Sequence, residues 1–188
     1  KGETPRAVFD ALLLPALNYA ERDRILGTLS EIEETSVIDA TRELTTDAAE
    51  SLALQTPAQD APREPLAVLG FAINGPADEV ALEMLARVSD DPPFAVEIVG
   101  TRLHASELIA LVRQRGAGVV CLADLPPSVP SKTRYLVKRL RAAAPDLHIV
   151  VGRWAPPELA DESTQKLREA GASFVGSTLQ ETAAYLRG

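Results

Sequence analysis

Few residues in this sequence have chemistry to offer. They are His104, His148, Cys121, the turn Asn74-Gly75-Pro76-Ala77-Asp78-Glu79, and the run Ala123-Asp124-Leu125-Pro126-Pro127. A hydrolytic triad needs a nucleophile placed beside a histidine. His104 stands where a helix opens and His148 within the fourth expected strand, so neither sits at the carboxyl end of a strand, where a site would form. Cys121 lies within Val-Val-Cys-Leu-Ala, a place for a small buried hydrophobe. Two separated histidines and a distant cysteine offer no zinc-ligand spacing. A dinucleotide site needs a G-x-G-x-x-G turn that lets backbone approach a pyrophosphate. The turn at 74–79 has a single glycine, and Asp78 and Glu79 suit a helix dipole but repel an anion. A phospho-receiver needs paired acids after its first strand, an Asp after the third and a Lys after the fifth. Asp124 fits the middle role alone, because Asn74-Gly75 supplies no acid pair and Ser177 stands where Lys is wanted. No catalytic residue and no metal site is therefore expected, and the chain reads as non-enzymatic.

The elements that would position these residues follow from periodicity. Residues 5–27 read as a helix with Val8, Leu12, Leu13, Ala16, Leu17 and Ala20 on one face, stopped at Gly27. Ser30 and Glu33 form a capping box opening a second helix over 31–46, with Ile32, Val37, Ile38 and Leu44 as its apolar stripe. This gives a helical cap over 1–50, followed by a linker at 51–64 containing Pro57 and Pro62. From residue 65 the pattern becomes α/β. Strands are expected at 66–74, 95–100, 118–124, 147–152 and 173–176. Helices are expected at 77–88, 104–115, 131–144, 157–170 and 178–187, the last opened by Thr178 and Glu181. Right-handed crossovers then give a flavodoxin-like, five-stranded parallel sheet of order 2-1-3-4-5. In such a sheet ligands sit at the carboxyl ends of the strands, which here carry Asn74-Gly75-Pro76, Asp124, Gly152-Arg153-Trp154 and Gly176-Ser177-Thr178.

Composition narrows the function. Aromatics are 4% and the net charge is −8, which argues against a nucleic-acid partner. The excess charge is local: residues 1–60 carry 5 basic and 12 acidic side chains, and residues 61–188 carry 14 and 15. A lone cysteine suits a reducing compartment. No stretch approaches the roughly 18 apolar residues of a membrane span. The sequence does not begin with methionine and is expected to be a piece of a longer chain. The helix Lys-Thr-Arg-Tyr-Leu-Val-Lys-Arg-Leu-Arg at 132–141 is basic. It is read as an ordinary amphipathic crossover helix with Tyr135, Leu136 and Leu140 inward, with anionic lipid or an acidic partner as the other option.

The spacing of the strand ends resembles that of cobalamin-binding domains, where D-x-H-x-x-G follows strand 1, S-x-L follows strand 3 and G-G follows strand 4. Aligned on Val-Leu-Gly-Phe-Ala-Ile-Asn-Gly-Pro-Ala-Asp-Glu-Val, Gly75 falls at the Asp, Ala77 at the His and Val80 at the Gly. Ala123-Asp124-Leu125 stands for S-x-L and, after 26 residues, Gly152-Arg153 for G-G. Only Leu125 and Gly152 keep the family's residues. The hairpin is similar to the helical cap of the same proteins: Pro15-Ala16, Gly27, Ser30 and Glu34 fall on its pattern, with Arg24 replacing Trp and Thr35 replacing His. Val119–Pro127 and Arg134–Trp154 also resemble the soluble C-terminal extension of bacterial permease-like membrane proteins of the autoinducer-2 exporter family.

The resemblance implies a degenerate pocket at Gly75, Ala77, Ala123, Asp124, Leu125, Gly152 and Arg153. Ala77 has no donor for cobalt, and Arg153 is expected to fill the slot for the nucleotide tail and to pair with Asp124 across its mouth. No cofactor is therefore expected. The implied function is a sensory or protein-interaction domain on the cytoplasmic side of an inner-membrane, transporter-like protein. A genuine base-off corrinoid module is the alternative. The implied partner is another protein or the membrane portion of the same chain, with a small-molecule ligand and homo-oligomerisation left open.

Overall fold

The computed structural model describes residues 7–55, 64–88, 94–100, 103–160 and 162–188. The chain opens with a π-helical turn, Phe9–Leu13, that runs directly into α1, Leu14–Ile25. A π turn closes i→i+5 and so rotates the apolar face relative to an α-helical reading. For that reason the expected stripe is only partly right. Leu12 points outward, 61% exposed, while Phe9, Leu13, Leu14, Leu17 and Ala20 are buried. Gly27, at φ +74°, makes the turn that folds the chain back. The Ser30–Glu33 capping box is present: the Ser30 N–H donates to Glu33 Oε2 at 2.8 Å and the Glu33 N–H to Ser30 Oγ at 3.3 Å.

Helix α2 runs Glu31–Gln55, well past residue 46, so residues 51–55 of the expected linker are helical. Residues 56–63 of that linker lie outside the described residues. The stripe expected along α2 is corrected too: Ile32 is 79% and Leu44 52% exposed, because those positions do not share a face with Ile38. The buried face instead carries Ile38, Thr41 and Thr45. The two threonines can be buried because their hydroxyls donate to the carbonyls of Val37 and Thr41, one turn earlier.

The remainder is a parallel sheet covered on both faces. Strands β1 (Leu66–Ala72), β2 (Phe94–Val99), β3 (Val119–Ala123), β4 (His148–Gly152) and β5 (Phe174–Gly176) assemble in the order β2-β1-β3-β4-β5. The helices are α3 (Pro76–Val88), α4 (Ala105–Arg115), α5 (Ser131–Ala143), α6 (Ser163–Glu169) and α7 (Leu179–Leu186). A helix expected over 157–170 is a 3₁₀ turn, Pro157–Leu159, followed by α6, because Ala160 is extended at ψ 138° and breaks the run.

Strand alternation sorts the side chains into two cores. One face, with Val68, Ala72, Cys121, Ala123 and Val150, packs against α3, α7 and the hairpin. The other, with Leu69, Phe71, Val120, Leu122, Ile149 and Val151, packs against α4, α5 and α6. On α5 the inward residues are Thr133, Leu136, Val137 and Leu140. Tyr135, expected inward, is 55% exposed, since it lies on the far side of the helix from Leu136 and Leu140.

Candidate functional site

The hairpin lies across the carboxyl edge of the sheet and is tied to it at three places. Asn18, fully buried, donates from Nδ2 to the carbonyls of Pro126 at 2.7 Å and Trp154 at 3.1 Å. Asp10 accepts the Leu179 N–H at 2.7 Å and the Gln180 N–H at 3.1 Å, so the hairpin caps α7. Arg42 reaches from α2 to Glu83 at 3.2 Å and Glu79 at 3.9 Å on α3. The expected capping of α7 from within is also present, with Thr178 Oγ1 accepting the Glu181 N–H at 3.0 Å.

Between the hairpin and the β1–α3 turn lies a cleft of about 260 Å³, at the switch point of the sheet. Glu21, Arg24, Glu31, Glu34, Asn74, Gly75, Pro76, Ala77 and Asp78 are among its lining residues. Arg24 pairs with Glu34 at 2.6 Å across the cleft wall, so the two cap positions at 24 and 34 are joined by an ion pair. Burial raises the Glu21 carboxyl above its usual range, helped by Glu34 and Asp124 and opposed by Arg24 and Arg153. Asp78 is buried and accepts the Asn74 N–H at 2.8 Å and the Leu125 N–H at 2.9 Å, tying the β1 end to the β3 end. Burial pushes its carboxyl up to about 7, against the pull of those two N–H groups.

The sequence-derived site residues do not form one pocket. Gly75 and Ala77 line the cleft. Ala123, Leu125 and Gly152 lie beneath it, with both apolar side chains in the hairpin-side core. Asp124 and Arg153 turn the other way, toward α5. Arg153 Nη1 sits 3.1 Å from Asp124 Oδ1 and donates to the Asp124 carbonyl at 2.8 Å and to Ser128 Oγ at 2.9 Å. Its Nη2 donates to the Ser128 carbonyl at 2.9 Å. Asp124 also accepts from Asn74 Nδ2 at 2.8 Å, from Ser128 Oγ and from Thr133 Oγ1. The pairing expected of Asp124 and Arg153 is thus present and buried, but it faces α5 and does not span the mouth of the slot.

Arg153 does not fill the slot beside Gly152. Period-2 alternation puts residue 154, not 153, on the same side as Gly152. The indole of Trp154 lies against Gly152 so closely that a Cβ there would come within 2.4 Å of Cε2 and Cζ2. Trp154 is fully buried, and its Nε1–H donates to Thr182 Oγ1 at 2.8 Å. Thr182 in turn closes on Gly176, where a Cβ would meet Oγ1 at 2.1 Å. Two glycines, one indole and one threonine therefore fill the hairpin side of the β4–β5 edge. This plug was visible in principle: the only tryptophan of the chain stands two residues after Gly152.

His104 and His148 are exposed. Cys121 is fully buried, and burial alone pushes its thiol up to about 12, which makes it unreactive. Among the described residues no group of three or more His, Cys, Asp and Glu is placed to hold a metal. No helix among them is long and apolar enough to cross a membrane.

No family model matches the chain, and no curated protein matches it. Solved structures similar to it include a cobalamin-binding protein from Desulfitobacterium hafniense, with TM-score 0.47 and 14% identity, covering 91% of this chain and 76% of that one. The monomethylamine corrinoid protein of Methanosarcina barkeri has TM-score 0.46 and 11% identity, covering 97% of this chain and 98% of its own. A CheY-like protein (tadZ) from Pseudomonas aeruginosa has TM-score 0.45 and 19% identity, covering 66% of this chain and 92% of that one. At such identities and scores nothing about ligand or activity passes from those proteins to this chain.

Proposed function

We propose that this chain is a non-enzymatic sensory or protein-interaction domain of a bacterial membrane protein of transporter type, built on a cobalamin-binding-like fold that no longer takes a cobalamin. The observation that carries this reading is the Trp154 indole packed on Gly152, where the strand-end spacing puts the slot for a nucleotide tail. A buried indole bonded to Thr182 supports the reading that this space takes no nucleotide tail. Ala77 adds a second, separate obstacle, since an alanine in the lower-ligand position offers cobalt no nitrogen. The residues present do not fit the cofactor. The resemblance of Val119–Pro127 and Arg134–Trp154 to the extensions of permease-like proteins supports a cytoplasmic placement beside the inner membrane. The cleft under the hairpin remains the place where a small ligand or a partner segment would be sensed.

The test is a visible absorption spectrum. The chain is mixed with hydroxocobalamin, desalted and scanned. A colourless protein supports the reading, and a corrin band that travels with the protein overturns it in favour of a true corrinoid module.

A further inference from the structure

The outward face of α5 is a stripe of positive charge. Its thirteen residues include Lys132, Arg134, Lys138, Arg139 and Arg141 and not one acid. Arg134, Tyr135, Lys138 and Arg139 are exposed. Among the described residues no acid pairs with Arg134, Lys138 or Arg139. Arg134 and Lys138 repel each other at i,i+4, an arrangement that weakens the helix. In their midst Tyr135 is 55% exposed, a side chain that suits contact with another surface.

The opposite stripe lies on α2. The positions turned away from its buried face are Ile32, Ser36, Asp39, Glu43, Asp47 and Glu50, a repeat of three and four that keeps them in line. All six are exposed, and Ile32 is 79% exposed. The sole cation of α2, Arg42, is turned toward α3 and reaches Asp39 at 3.6 Å. Glu43, Asp47 and Glu50 again repel one another at i,i+4 and i,i+3 without an answering charge. The two stripes cannot meet within one chain. α2 contributes Ile38 to the core on one face of the sheet, and α5 contributes Leu136, Val137 and Leu140 to the core on the other.

We propose that the α5 stripe of one copy docks on the α2 stripe of a second copy, a head-to-tail contact of lysine and arginine against glutamate and aspartate with Tyr135 at its centre. Both stripes have the same helical pitch, so Arg134 and Lys138, four residues apart, face acids three and four residues apart. Because the two stripes lie on opposite sides of the sheet, one pair of copies cannot make the contact twice, so each added copy leaves one stripe of each kind open, which makes chains or larger rings and not a closed twofold dimer. A helix-on-helix contact is small, so the association is reversible and sensitive to salt. At about 0.1 M salt the Debye length is about 10 Å, so touching stripes feel each other while two whole molecules of like net charge barely do.

The experiment is sedimentation equilibrium of the full chain over a concentration series. The expected result is a weight-average mass that climbs above that of one chain with concentration at about 0.1 M salt and falls back at about 1 M. Arg134→Glu with Lys138→Glu, and separately Glu43→Lys with Asp47→Lys, should each hold the chain at the mass of a monomer. Mixed together, the two variants should associate again, because every stripe then finds its opposite. Circular dichroism melts matching the parent show that both variants fold, as their exposed positions lead one to expect. A parent chain that stays monomeric at every concentration overturns the proposal, as does association that survives both reversals. If the parent is monomeric but sediments with phosphatidylserine vesicles, and the α5 variant does not, the stripe faces lipid and the proposal also fails.

Discussion

On the hairpin side of the carboxyl edge, Gly152 and Gly176 leave room that the Trp154 indole and Thr182 fill. On the α5 side, one residue along the same strand, Arg153 and Asp124 fill the equivalent space with charge and hydrogen bonds. Both regions are buried and both close the end of the sheet, but they do so by different physics. Trp154 contributes apolar area and one hydrogen bond, so its burial is favourable almost atom by atom. The Asp124–Arg153 pair must first lose its hydration, and that loss offsets most of its Coulombic gain even though its geometry is good. Large volume stabilises one side, whereas mutual dependence holds the other.

The sharpest way to break that comparison is to empty the hairpin side. Trp154→Ala should cost about 3–5 kcal/mol in urea unfolding, as expected for a large aromatic removed from a packed interior. If the loss is under about 1 kcal/mol, the indole is not the plug described here.

Next comes the pair. Arg153→Ala leaves Asp124 buried with only neutral donors, and should cost on the order of 3 kcal/mol. The double change with Asp124→Ala should cost clearly less than the two single changes added, because no orphaned charge remains. Additive losses would mean that the two residues act independently and that the polar side is held by Ser128 and Thr133 instead.

The pH dependence sharpens the same contrast. Asp78 has a folded-state value of about 7 against an ordinary 3.8, and burial also raises Asp10 and Glu21. Each raised carboxyl makes the folded chain bind more protons than the unfolded chain at intermediate pH. Stability contributed by these groups is therefore greatest at acid pH and declines as pH climbs from about 4 to about 7. Asp78→Asn should flatten that decline, measured as the urea midpoint at a series of pH values. An Asp78→Asn chain whose midpoint follows the same pH profile as the parent would contradict the raised value assigned to Asp78.

The smallest effect concerns the seam between hairpin and sheet. Asn18→Ala removes two hydrogen bonds but also an amide oxygen, Oδ1, that has no donor among the described residues. The net loss should be about 1 kcal/mol by thermal unfolding. A loss near 3 kcal/mol would show that Oδ1 is bonded in solution, most simply by a buried water.

Much of this was legible in the sequence, and what was not had local causes. The strands and their order follow from apolar runs alternating with amphipathic helices, which is why all five appear within about two residues of where periodicity puts them. The Asp124–Arg153 pair was legible because β3 and β4 are neighbours in that order. The slot was misjudged at one residue, Arg153 for Trp154, although strand alternation already placed Trp154 with Gly152. Leu12 was misplaced because nothing in Phe-Asp-Ala-Leu-Leu announces a π turn. Ile32 and Leu44 were misplaced because α2 buries threonines, whose hydroxyls are satisfied within the helix and leave no apolar signature. The cleft itself combines residues of the hairpin and of the β1–α3 turn, a meeting that depends on docking and not on spacing.

Trp154 is the only tryptophan of the chain, so its fluorescence reports on the plug alone. The most direct test titrates the folded chain with acrylamide and, separately, with hydroxocobalamin, and follows the emission. A dry, filled slot requires blue-shifted emission that acrylamide quenches poorly and that cobalamin leaves unchanged beyond the loss due to its own absorbance. A red-shifted emission open to acrylamide, or saturable quenching at low cobalamin concentration, would show that the slot beside Gly152 is open and would contradict the account.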